Sequence, residues 1–318
     1  MAVANLGDTV VATARNFIDG LADNITRHNA LTRWAKKNGL IQVAEGGRTI
    51  VEPFLYGTNA SLQWYDGFDL FTPPTTQEVL DGSEFNWKQL GCFISVSGRE
   101  RRMNYGEHKR KDIAKTRIKQ AQALMMNSLS SGLYADGTGS AGKELTGLQT
   151  MISNDPTAAG SYGGINQVAN AFWRNKFSPA AATTSANVKT RMNSMYLQCL
   201  RGTDKPGLIV MDDDWYGWYW DSLQQLARFT DQGEADAGYG TLRFRNALAE
   251  YDDQCPDKRQ YFLNPDNVAI RVASDRSFGF EVGDKRTVAN GDYDVIPIFF
   301  MGNLTTGWRA GHGVNIAS

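Results

Sequence analysis

Residues 46–56 read Gly46-Gly47-Arg48-Thr49-Ile50-Val51-Glu52-Pro53-Phe54-Leu55-Tyr56, and residues 85–97 read Phe85-Asn86-Trp87-Lys88-Gln89-Leu90-Gly91-Cys92-Phe93-Ile94-Ser95-Val96-Ser97. Both are rich in aromatic and β-branched residues, and the second alternates, so both predict strands. Pro53 has no N–H to give a ladder and puts the first strand at an edge. Between them lie turn signals (Asp66-Gly67, Pro73-Pro74, Asp81-Gly82) around short aromatic pieces such as Leu62-Gln63-Trp64-Tyr65. The prediction is a long two-stranded excursion over 48–98. An isolated hairpin is marginal in water, so this one needs a partner surface.

The excursion leads into a predicted helix over 107–133. Ile113, Ala114, Ile118, Ala121, Leu124 and Met125 fall on one arc, and His108, Lys111, Lys115, Lys119 and Gln122 on the neighbouring one. Upstream, Asp8 or Thr9 can cap a helix running to about Lys37, stopped by Asn38-Gly39. It reads as an arm that packs under something else. Downstream, Leu148–Ile152 is expected as a short strand, 185–200 as a helix and 207–211 as a buried strand. A helix over 215–229 follows, with strands at 241–244, 260–263 and 268–273 and a closing strand pair over 292–308. This order predicts an α+β fold: one core with projecting limbs.

The net charge is −1, which gives no global bias toward nucleic acid or membrane, but the local bias is strong. Residues 99–119 carry about +6 and residues 204–257 about −8. Cys92, Cys199 and Cys255 are odd in number and far apart, which suits neither a disulfide framework nor a zinc site. The N-terminus lacks a signal-peptide pattern and no apolar run is long enough to span a membrane, so no membrane partner is expected.

Several motifs point toward catalysis and do not hold. Gly137-Thr138-Gly139-Ser140-Ala141-Gly142 matches GxGxxG, but a helix precedes it and a strand is expected after it, the reverse of a dinucleotide site. It also approaches a phosphate loop through Gly142-Lys143, yet Glu144 stands where a hydroxyl is needed. The segment reads as a connector. In Asp212-Asp213-Asp214 consecutive carboxylates point apart, so one is expected to cap the following helix rather than hold a metal. Asp252-Asp253 reads as a solvated turn. His28, His108 and His312 are scattered, and no triad can be drawn. No catalytic residue, metal or cofactor is expected. The cluster Trp215, Tyr216, Trp218, Tyr219, Trp220 is too dense for one core face and suggests a core helix with an interface on its far side.

Taken in order, the helical arm, extended loop, basic spine helix, α+β region and acidic region resemble the major capsid protein of tailed bacteriophages. The strand at 46–56 is similar to the one entering the extended loop in one branch of that family. So are Gly147-Leu148-Gln149-Thr150-Met151-Ile152, Gly163-Gly164-Ile165 and Phe172-Trp173-Arg174. The resemblance covers nearly the whole chain. It implies the tailed-phage major capsid fold, with 1–46 as N-terminal arm and 47–98 as extended loop. It further implies 99–184 as spine helix and first part of the peripheral domain, 185–280 as apical domain and 281–318 as closing peripheral strands.

The implied function is structural: hexamers and pentamers of one polypeptide forming an icosahedral head around double-stranded DNA. The implied location is the virion, after assembly in the host bacterial cytoplasm, with portal, scaffolding or decoration proteins as further partners. The arm helix follows Met1 almost at once, so scaffolding is expected to be a separate protein or absent. Phe54, Tyr56, Trp64, Tyr65, Phe68, Phe71, Phe85 and Trp87 are the expected inter-subunit residues of the extended loop. Arg99, Arg101, Arg102, Lys111, Lys115 and Lys119 are expected to face the lumen and its DNA, by non-specific contact, or an acidic neighbour. The alternative is a nucleic-acid-binding protein that uses 99–119 directly.

Overall fold

The computed structural model describes residues 30–57, 61–70, 79–105, 113–224, 242–274, 276, 281–282, 286–287 and 290–318. Before residue 30 the expected arm helix lies outside the described residues. Its end is α1 (Ala30–Lys37), which stops at Asn38 and a left-handed Gly39. α1 is no free limb: Leu31, Trp34 and Ala35 are buried in the main core.

The strands that follow are β1 (Ile41–Ala44), β2 (Thr49–Leu55), β3 (Leu80–Asn86) and β4 (Lys88–Ser97). β2 and β3 pair antiparallel over their whole length, from Thr49–Asn86 to Leu55–Leu80, and form a ladder with no third strand among the described residues, so Pro53 sits on an edge as expected. The return segment, however, divides. Trp87 separates β3 from β4, and β4 leaves the hairpin to pair with a distant strand. The hairpin is therefore 49–55 with 80–86, shorter than the predicted 48–98.

Next come α2 (Gly98–Met103), α3 (Ile113–Gly132) and α4 (Leu148–Met151). α3 is the expected spine helix. Ile113, Ala121, Met125 and Leu129 are buried along it at multiples of four, continuing to Leu133, whereas Leu124 is exposed, against expectation. α4 replaces the strand expected at 148–152. Leu148, Met151 and Ile152 are all buried, at the i, i+3, i+4 spacing of one helical turn.

After the small ribbon β5 (Ser161–Tyr162) and β6 (Ile165–Asn166) come β7 (Lys176–Ala181), α5 (Val188–Cys199), β8 (Leu208–Met211) and α6 (Asp213–Gln224). The chain closes with β9 (Leu242–Phe244), β10 (Ala247–Tyr251), β11 (Arg259–Leu263), β12 (Val268–Ala273), β13 (Glu281–Val282), β14 (Arg286–Thr287), β15 (Tyr293–Thr306) and β16 (Gly313–Ala317).

Two six-stranded sheets organise these elements. In the first, β15 is central: β4 runs along one side of it and β12, β13 and β14 pair with the other, with β1 beyond β12. The expected closing pair at 292–308 is thus one 14-residue strand. The second sheet has the order β7-β16-β11-β8-β10-β9, with β8 buried at every residue. Sheet membership crosses the expected boundaries at 184/185 and 280/281: β7 and β16 lie in the second sheet, β12 in the first. One hydrophobic cluster joins α1, α3, the hairpin base and strands of both sheets. A smaller one lies between α5, α6 and the far side of the second sheet.

Candidate assembly surfaces

The base of the hairpin is anchored on the chain itself. Ile50 and Phe85 are buried in the main core, and Phe85 meets Tyr162 edge-on at 5.1 Å. Glu52 takes a bidentate pair from Arg271 at 2.6 and 2.9 Å and a hydrogen bond from Thr305 Oγ1 at 2.9 Å. Ser83 Oγ donates to the Thr306 carbonyl at 3.1 Å. Phe54 stacks on Trp173 at 5.0 Å, and Tyr56 on Phe172 at 5.2 Å. Trp87 is half-buried against the same core and donates Nε1 to the Gly47 carbonyl. The expectation of a hairpin unsupported by its own chain is thereby corrected. Phe85 in particular is enclosed within this chain, with no surface left for a neighbour.

The distal end is different. Leu62, Trp64, Phe68 and Leu70 are between 91% and 104% exposed, and Tyr65 is 66% exposed. This end is a closed turn: Asp69 N–H donates to the Asp66 carbonyl at 2.8 Å, and Asp66 N–H donates to Asp69 Oδ2 at 2.8 Å. The turn holds Phe68 out in water, where a large ring ordinarily finds cover. Of the predicted loop aromatics, Trp64, Tyr65 and Phe68 lie on this tip, and Phe71 lies outside the described residues.

The described parts of the basic stretch lie mostly on two helices, α2 and α3. Ser97 caps α2: its Oγ accepts from Glu100 N–H at 3.2 Å, and Glu100 Oε2 accepts from Ser97 N–H at 3.1 Å. That reciprocal box is legible as Ser-x-x-Glu in the sequence and is the signal that prediction missed. Arg117, on α3, then grips both oxygens of Glu100 at 3.0 Å and donates to the Ser95 carbonyl at 2.8 Å, tying α3 to α2 and β4. These Arg117 bonds hold the Glu100 carboxyl below the usual range, outweighing its burial. Arg99, Arg101 and Arg102 are exposed on α2, and Arg101 pairs with Asp294 of β15 at 2.8 Å. Lys115 and Lys119 are exposed on α3, and Lys111 lies outside the described residues.

The glycine segment after α3 is a defined left-handed turn rather than a loose connector. Ser140 and Ala141 have φ of 51° and 57°, and Asp136 Oδ1 accepts from both Thr138 N–H and Thr138 Oγ1. Lys88 Nζ donates to the Gly142 carbonyl. Neither order of elements around it matches a nucleotide loop.

Asp212 acts as the cap of α6, accepting from Trp215 N–H at 3.0 Å and also from Lys258 N–H. Burial pushes its pKa up to about 6 despite those two donors. Asp252 is buried rather than solvated: it accepts from Tyr134 Oη at 2.8 Å and Leu31 N–H at 3.3 Å, joining α1 to the end of the spine. In the α6 aromatic cluster Trp215 and Tyr219 are buried, Tyr216 and Trp218 partly so, and Trp220 is 37% exposed.

His312 is fully buried. Its Nδ1 accepts from Asn264 N–H at 3.2 Å, which leaves the proton on Nε2, 3.4 Å from Thr306 Oγ1. Burial, together with nearby Arg309, lowers its pKa to about 4. His28 and His108 lie outside the described residues. Among the described residues no three His, Cys, Asp or Glu side chains converge on a metal position.

No family model matches the chain, and no curated protein matches it. Solved structures do match over almost its full length. The capsid asymmetric unit of cyanophage A-1(L) superposes with a TM-score of 0.69 at 16% identity, covering 95% of this chain and 96% of that one. This is the tailed-phage major capsid fold. The capsid of Myoviridae phage XM1 matches with a TM-score of 0.60 at 11% identity, covering 96% and 97%. The SrpI encapsulin complex of Synechococcus elongatus PCC 7942 matches at 0.59 and 11%, covering 99% and 96%. In the terms of that fold β2–β3 is the extended loop and α3 the spine helix. The anchored hairpin ends in a hydrogen-bonded turn whose exposed apolar side chains are suited to contact.

Proposed function

We propose that this chain is the shell subunit of a phage head, assembling as hexamers and pentamers into an icosahedral particle around double-stranded DNA. The observation that carries this reading is the tip: Trp64 and Phe68, 102% and 104% exposed on a hydrogen-bonded turn, at the end of a hairpin fixed at its base. Each ring would gain about 1.5–3 kcal/mol by burial against a neighbour, repeated at every contact of a closed assembly. The full-length likeness to capsid subunits supports the same reading.

In this proposal residues 1–46 are the arm and the acidic region within 185–280 gathers around the capsomer axis. Arg99, Arg102, Lys115 and Lys119, with Lys111, face the lumen and neutralise packaged phosphate without reading sequence. Portal, scaffolding and decoration proteins would act at other faces, and the assembled product would reside in the virion. The DNA-binding alternative is weakened by Arg101 and Arg117, whose guanidinium groups are already paired with Asp294 and Glu100.

Negative-stain microscopy of the purified protein tests this. Uniform closed shells, or rings of capsomers, are expected. A dispersed monomer that binds DNA with a steep salt dependence would overturn the proposal in favour of direct nucleic-acid binding.

A further inference from the structure

A cleft of about 590 Å³ lies between the start of β4, the end of α3 and the left-handed turn at 139–142. Its volume falls in the range, roughly 300–1,000 Å³, of sites that enclose small molecules. Buried Leu129, Leu145 and Phe300 give it an apolar floor. The wall formed by the turn is imposed on the chain. Ser140 and Ala141 both hold positive φ, a conformation that L-residues avoid, and Lys88 ties the turn to β4 through the Gly142 carbonyl. Backbone strain of this kind persists only where surrounding contacts fix it, and it collects at ligand clamps.

The charge at the mouth has one sign. Residues 120–132 of α3 carry no charged side chain, so the ionic groups lining the cleft are Lys88, Lys143 and Glu144. The Glu144 carboxylate lies against Gly139, in space that a Cβ there would fill. Lys143 makes no ion pair among the described residues. Lys88 spends one of its three ammonium donors on the Gly142 carbonyl and keeps the others. An apolar floor thus sits under a net positive rim.

We propose that this cleft binds a small amphipathic anion, a single-chain carboxylate or phosphate ester. Its apolar body would lie on Leu129, Leu145 and Phe300, and its head at Lys88 and Lys143. The floor sets a preference for chain length and the rim a preference for charge. Each methylene taken out of water should tighten binding about fourfold, so decanoate should bind at least about tenfold more tightly than octanoate. The inference does not depend on the shell reading.

Calorimetric titration of the dilute full-length chain tests this, with decanoate, decyl phosphate and decyltrimethylammonium, each below its micelle concentration. Both anions should bind saturably at one site, and the tighter of the two identifies the preferred head. The cation should bind at least about tenfold more weakly. Lys143→Glu should weaken the anions about tenfold and strengthen the cation, because an attraction becomes a repulsion. Ser128→Trp, which sets a ring over the cleft from an exposed position on α3, should abolish binding. Trp64→Ser with Phe68→Ser should leave it unchanged. Urea midpoints of the variants should match wild type. If Ser128→Trp lowers its midpoint, decanoate protection of Ser131→Cys from maleimide takes its place, and protection is expected. No saturable binding, equal affinity for anion and cation, no effect of Lys143→Glu, or binding lost with the tip rings would each overturn the site. A chain that forms shells without binding either anion overturns the cleft alone, and one that binds them without forming shells overturns the shell reading alone.

Discussion

Replacing the two tip rings, Trp64→Ser with Phe68→Ser, should separate folding from assembly. Both side chains are fully exposed, so nothing in the chain's own fold depends on them. Surface changes of this kind move stability by no more than about 0.5 kcal/mol. In an assembly the same rings are buried, and each is worth about 1.5–3 kcal/mol, or about 3–6 kcal/mol per contact for the pair. That corresponds to a loss of about 10²–10⁴ in the contact constant. Two measurements on one sample check this: urea unfolding of the dilute, unassembled chain, and the protein concentration at which particles appear. The midpoint should be unchanged, while the threshold rises at least about a hundredfold. A midpoint that falls in step with assembly would show that the rings pack within the chain. Shells at the wild-type threshold would show that the tip is not a contact.

Three further outcomes follow from the interior. Arg117→Met strands the Glu100 carboxylate, and the loss should be about 2 kcal/mol, between the values for exposed and fully buried pairs, since Arg117 keeps some solvent. Because Glu100 is held below its usual range, that contribution is complete above pH 4.5 and is lost as pH falls through the folded value, so acid titration of the unfolding midpoint checks it. His312, neutral when buried, lowers stability as pH drops from 6.5 to about 4, by about 3 kcal/mol. Asp212, raised to about 6, works in the opposite direction over most of that window, because the folded state takes up its proton first. His312→Gln should therefore make the chain gain stability on acidification relative to wild type, and Asp212→Asn should make it lose stability. The reverse signs in pH-dependent urea melts would contradict this assignment. Gly147→Ala should cost about 1–3 kcal/mol, read as a lowered urea midpoint, because its Cβ would stand 2.6 Å from the carbonyls of Gly132 and Ala135, which cannot move aside as a side chain could.

Much of this fold could be read locally. Aromatic and β-branched content marked β2, alternation marked β4, one apolar arc marked α3, and the aspartate run before an aromatic helix marked a cap. What failed depended on partners distant in sequence. The 293–306 strand contains Pro297 and Gly302, which look like breaks. Yet the strand runs on through both, paired with β4 from Tyr293–Ser97 to Gly302–Lys88. Leu148–Ile152 is a short apolar run whose burial suits a helix turn as well as a strand. β16 joins β7 and β11 across the chain, a pairing that no local pattern announces. Among the site residues the tip aromatics could be singled out by composition, but not which aromatics the chain would bury itself. Phe85 and Trp64 look alike in sequence, and only Ile50, Tyr162 and the rest of the core distinguish them.

Sedimentation velocity of the purified wild-type chain tests the central claim most directly. The account predicts a concentration threshold above which the protein moves into rings and fast, homogeneous closed particles. A single slow boundary, unchanged in position from micromolar to the highest soluble concentration, would contradict it.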